Sequence, residues 1–120
     1  MIEAGLDYGG RPYRPIPLMV TDGVSEVLFC PNCRDMIIQI MTLGIGVLGS
    51  FTFTVEGSLD GFNFGNLSAS DSTTEVSTNK TTILTYDGAV PPYIQVSVAS
   101  SALLSASASY VIYAAFGVLS

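Results

Sequence analysis

The stretch Phe51-Thr52-Phe53-Thr54-Val55-Glu56 decides the fold. Successive side chains of an extended strand point to opposite faces, so Phe51, Phe53 and Val55 share one face and Thr52, Thr54 and Glu56 the other. An apolar face backed by a polar one marks a strand half buried in a sheet. Tyr93 to Val98 repeats the pattern, with Ile94, Val96 and Val98 alternating with Tyr93, Gln95 and Ser97. A last strand from about Ala108 to Phe116 puts Ser109, Val111, Tyr113 and Ala115 on one face. Tyr110, Ile112, Ala114 and Phe116 take the other.

Outward from these anchors, Thr81 to Tyr86 and Ser25 to Phe29 are further strand candidates. Asp35 to Leu43 is an apolar run broken by Gln39; its β-branched content predicts a strand buried on both faces. Asp22-Gly23, Asp60-Gly61 and Asp87-Gly88 are turn signals, and Gly44, Gly46 and Gly49 mark a loop or bulge. Asn66 to Lys80 is rich in Ser, Thr and Asn and reads as a surface excursion with a short strand near Thr74 to Ser77. No ten-residue helix presents itself. Seven to eight short strands separated by turns predict an all-β, single-domain antiparallel β-sandwich over residues 18–120. Residues 1–17 read as an extended N-terminal arm: Gly5, Gly9 and Gly10 loosen it, and Pro12, Pro15 and Pro17 favour extended backbone.

Composition narrows the function. Hydrophobic residues make up 48% of the 120 and charged residues only 12%, while Ser and Thr together number 24, so hydroxyls replace charge as the main polar surface. Strands with few lysines lack a common defence against edge pairing, and association with other protein is the expected condition. A net charge of −6 opposes binding to nucleic acid or to an anionic membrane. Ala102 to Leu119 is apolar, yet Ser105, Ser107 and Ser109 recur at period two, which is a strand property and not that of a membrane span.

The chemistry-bearing residues are sparse. There is no histidine, so Ser–His and Cys–His nucleophile pairs are impossible. No Gly-x-Ser-x-Gly elbow and no phosphate-binding glycine fingerprint occur. Lys80 lies in a polar loop, and Glu56 and Asp60 carry no pairing signal, so no enzyme and no cofactor are expected. Cys30-x-x-Cys33 lacks the surrounding βαβ pattern of a redox site and supplies two of the four ligands of structural zinc; it reads as a loop pair, reduced or locally bridged, with zinc shared across subunits of an oligomer as the alternative. Asp60 has Ser58 and Asn63 as nearby oxygen donors, but an Asx-type turn accounts for them without a cation. Asp60, Phe62 and Asn63 form the candidate cluster for a sugar ligand, an aromatic face beside a carboxylate and an amide.

Phe53-Thr-Val-Glu-Gly-Ser-Leu-Asp-Gly-Phe-Asn-Phe, the Ser/Thr-rich excursion, Tyr86, Pro92-Tyr-Ile-Gln-Val-Ser-Val and the final alternating strand follow in that order. From about Phe51 to Phe116 this order resembles small β-sandwich virion proteins of tailed bacteriophages, particularly capsid decoration (cement) proteins. Phage tail, fibre and head–neck components contain similar strings. The resemblance implies a jelly-roll-like sandwich on the outer capsid surface of the virion, often a homotrimer, that bridges neighbouring copies of the major capsid protein. Under it, the arm residues Tyr8, Arg11, Tyr13 and Arg14 are expected to contact capsid or neighbouring subunit, because three of the four cationic side chains precede Asp35. The competing expectation is a carbohydrate-binding component of a tail or fibre.

Overall fold

The computed structural model describes residues 2–3, 15–31, 33–46, 48–67, 73–87, 89–104 and 106–118. Tyr8, Arg11, Tyr13 and Arg14 lie outside them. The strands are β1 (Ile2–Glu3), β2 (Ile16–Leu18), β3 (Val20–Thr21), β4 (Val24–Ser25), β5 (Leu28–Phe29) and β6 (Cys33–Leu43). They continue as β7 (Phe51–Ser58), β8 (Gly65–Asn66), β9 (Thr73–Val76), β10 (Thr81–Tyr86), β11 (Tyr93–Ser100) and β12 (Ser109–Val118). No helix occurs among the described residues.

Two sheets result. One runs β10-β6-β12-β2. The other centres on β11 and β7: β4 and β5 pair the outer edge of β11, β8 and β9 pair the outer edge of β7, β3 continues from β4, and β1 adds in parallel to β5. The pairing is nested. β2 pairs β12, β4 and β5 pair β11, β6 pairs β10, and β7 pairs β8 and β9, so the chain folds as one long hairpin wound across two sheets. The all-β sandwich read from the sequence is the architecture observed.

The alternation in the sequence sets the core. Phe51, Phe53 and Val55 of β7 and Ile94, Val96 and Val98 of β11 turn inward from one sheet. They meet Met36, Ile38 and Ile40 of β6 and Ile112, Ala114 and Phe116 of β12 in a single buried cluster. Tyr110 of β12 bridges the sheets at one end, its ring edge-on to Phe51 at 4.9 Å and to Phe53 at 5.4 Å, and burial pushes its hydroxyl pKa up. Asp22-Gly23 closes the β3–β4 hairpin with positive φ at both positions (54° and 80°), the two-residue turn whose twist matches the strands it joins.

Four expectations change. β6 is buried on one face only: Met36, Ile38, Ile40 and Thr42 are inside, whereas Ile37, Gln39 and Met41 are half-exposed on the outer surface. A two-layer sandwich offers each strand one partner sheet, so an apolar run through both of its faces leaves one face uncovered. The Ser25–Phe29 strand is broken into β4 and β5 at Glu26 and Val27. The short strand expected near Thr74 to Ser77 does form, as β9, and its Val76 is fully buried. Sheet pairing starts before residue 18, since Ile16 is a buried member of β2. With the short pieces β3–β5 and β8 included, the strand segments outnumber the seven or eight expected.

Candidate functional site

The loop after β7 brings Ser58, Asp60 and Asn63 together, as their spacing suggested. The Ser58 hydroxyl donates to Asp60 Oδ1 at 2.8 Å, as do the backbone N–H groups of Phe62 (2.8 Å) and Asn63 (2.9 Å). The Asn63 side-chain amide donates to Asp60 Oδ2 at 2.8 Å. These donors, the Asn63 backbone N–H first among them, hold the Asp60 carboxyl far below the usual carboxylate range. Ser58 Oγ in turn accepts from the N–H groups of Asp60 and Gly61. Gly61 sits at φ +81° with the Tyr93 ring against it, and a Cβ there would lie 3.1 Å from a ring carbon. The cluster is thus an Asx turn in which Asp60 Oδ1 takes three of the four donors and Oδ2 one.

Phe62 is 87% exposed and Leu59 84%. Beside the loop, a hollow of about 350 Å³ is lined by Gly57, Ser58, Leu59, Asp60, Asn63 and Pro91, and the Phe62 ring does not line it. The three members of the sugar-binding candidate therefore share a loop without sharing a concave surface. Tyr93 stacks with Phe29 at 5.1 Å, and Tyr86 is buried, so neither extends an aromatic platform from Phe62.

Cys30 is 1% exposed and disulfide-bonded, so in this form it presents no thiolate to a metal. Its backbone N–H donates to Pro92 O at 2.7 Å, tying the end of β5 to the start of β11. Among the described residues no group of three or more His, Cys, Asp or Glu side chains converges as a metal site. Lys80 is exposed.

The two outer sheet faces differ in chemistry. On the β7–β11 sheet the outward residues are Thr52, Thr54 and Glu56, Gln95 and Ser97, and Thr73 and Glu75 of β9. This face satisfies part of its own polarity: the Gln95 amide donates to Glu56 at 3.0 Å. On the β10-β6-β12-β2 sheet the register sets Met41 between Thr81 and Val111, Gln39 between Ile83 and Tyr113, and Ile37 between Thr85 and Ala115. Pro17 continues the middle row beside Tyr113, and Leu43 opposite Ser109 extends the patch at one end. Ile83 is 58% exposed, Leu43 60% and Val111 40%. Asp35, at the far end of β6, is the single charged residue in these outward rows. The sequence pattern assigned Val111, Tyr113 and Ala115 to one face correctly; it missed that Ile37 and Met41 join them.

The chain matches no protein-family model, no curated protein and no solved structure.

Proposed function

We propose that this chain is a non-enzymatic structural protein of a phage virion that binds the outer surface of the capsid and bridges neighbouring capsid subunits. The observation that carries the reading is the outer face of the β10-β6-β12-β2 sheet, where Ile37, Met41, Leu43, Ile83, Val111 and Tyr113 face outward. Contiguous apolar patches of this kind on a protein surface mark contacts with other protein, and the near absence of charge within it suits burial. An all-β sandwich is the fold class that the resemblance implies. Tyr8, Arg11, Tyr13 and Arg14 enter the proposal on sequence alone, as the arm that docks on the major capsid protein. Repetition over many equivalent positions would turn modest single contacts into a firm hold.

Co-sedimentation of the purified full chain with empty tailed-phage shells tests the proposal. Saturable binding that is lost on deletion of residues 1–14 supports it; no binding to any shell at saturating concentration overturns it. The exposed Phe62 ring favours one second reading, a carbohydrate-binding tail or fibre component. Glycan-array binding abolished by Phe62→Ala would move the assignment there.

A further inference from the structure

We infer that the outer face of the β10-β6-β12-β2 sheet is a self-pairing surface, on which a second copy of the same chain packs face to face about a twofold axis. The inference rests on the reading that this face is covered by protein, and assigns it to a second copy, which leaves the contact with the shell to the arm. Three observations select a second copy.

The first is charge. Each chain carries −6, so two copies repel unless they meet where carboxylates are absent. A twofold contact sets a patch against itself, and therefore sets its charges against like charges. The β7–β11 face carries Glu56 and Glu75, which such a contact would bring toward their own symmetry mates. The β10-β6-β12-β2 face has only Asp35, at one end of its longest strand.

The second is the polar group at the centre. Gln39 lies in the middle row, flanked by Ile83 and Tyr113. Its amide holds both donors and an acceptor, and the Tyr113 hydroxyl is likewise both, so these groups complement copies of themselves. A purely apolar partner would bury them without hydrogen bonds.

The third is area. β10, β6, β12 and β2 have six, eleven, ten and three residues, which at ~4.8 Å spacing and ~3.3 Å rise give ~480 Å² in plan, before the corrugation of side chains is added. A standard stable interface buries ~800 Å² per partner, which is the same order. Face-to-face packing of sheets is also the geometry by which this chain already joins its own two layers.

A twofold contact of this kind closes at two copies, whereas a threefold ring would set this face against a different surface. Sedimentation velocity of the full chain over a hundredfold concentration range reads the difference. The inference predicts a species of twice the chain mass. Ile83→Glu and Val111→Glu, both at outward positions that contribute nothing to the core, should each raise the dimer dissociation constant at least tenfold while circular dichroism stays unchanged. Thr54→Glu, on the opposite face, should leave it within twofold. A monomer at every concentration, a trimer, or a dimer indifferent to both face variants overturns the inference. Shell co-sedimentation separates this failure from failure of the function. A monomeric chain whose shell binding is lost in Ile83→Glu would sink self-pairing and leave the structural role standing; a dimer that binds no shell would do the reverse.

Discussion

Ser25 fills a gap that the break between β4 and β5 opens in the sheet. β11 pairs β4 at Ser97–Val24 and β5 at Ile94–Leu28, but Glu26 and Val27 leave the ladder between these points. The N–H of Val96, on a fully buried residue, finds no backbone carbonyl there and donates to Ser25 Oγ at 2.8 Å. The Ser25 hydroxyl in turn donates to Glu26 O at 2.9 Å. Ser25→Ala would strand a buried N–H in a central strand, which costs about 1–3 kcal/mol. Unfolding entropy near the midpoint is about 2.1 cal/mol/K per residue, or about 0.25 kcal/mol/K for this chain, so Tm should fall by ~4–12 °C. Thermal and urea unfolding at one fixed protein concentration would measure it, with the urea m-value unchanged. Ser100→Ala, at the exposed end of β11, serves as control and should move Tm by less than about 2 °C. A Ser25→Ala variant as stable as the control would refute the argument that this hydroxyl substitutes for a backbone acceptor.

Two threonines in adjacent strands should respond oppositely to the same change. Thr42, 1% exposed, donates to Thr78 O at 2.8 Å and accepts from the Lys80 N–H at 3.2 Å, clasping the β9–β10 turn, so Thr42→Val should destabilise by about 1–3 kcal/mol in urea titration. The buried Thr82 hydroxyl has no hydrogen-bond partner among the described residues, so Thr82→Val should stabilise by about 1 kcal/mol. Asp60 makes the stability of its turn pH-dependent. Because its folded pKa is depressed, its contribution is complete above the unfolded value of about 3.9 and fades as pH falls through the folded one. Between pH 6 and pH 3 the Asp60→Ala variant should therefore lose less stability than the wild type, and parallel curves would contradict the role of the Asx turn.

Where the sequence alternates cleanly, the structure follows it: Phe51 to Val55 and Ile94 to Val98 read as inward and are inward. Asp22-Gly23 announces its hairpin because few residue pairs tolerate two positive φ values. Asp35 to Leu43 was harder. An apolar run broken only by Gln39 fits a strand covered on both sides equally well, and only the two-layer architecture decides that one side is open. The sandwich and the run, taken together, already imply an uncovered apolar face. The break at Glu26 and Val27 was hidden because a side-chain hydroxyl, not backbone pairing, carries the sheet across it. In the Asp60 loop, proximity was legible from spacing, but the direction of the donors was not. Local sequence brings Ser58, Asp60 and Asn63 within reach, and the folded turn aims its own N–H groups at the Ser58 and Asp60 oxygens.

The account stands on the claim that the outer face of the β10-β6-β12-β2 sheet is covered by protein when the chain works. Carbene footprinting of the full chain, dilute, concentrated and mixed with empty shells, reads that face residue by residue. Labelling of Met41, Ile83, Val111 and Tyr113 should fall in the concentrated or shell-bound sample, while Thr52 and Gln95 on the opposite face stay labelled. Equal labelling of both faces under all three conditions would contradict it.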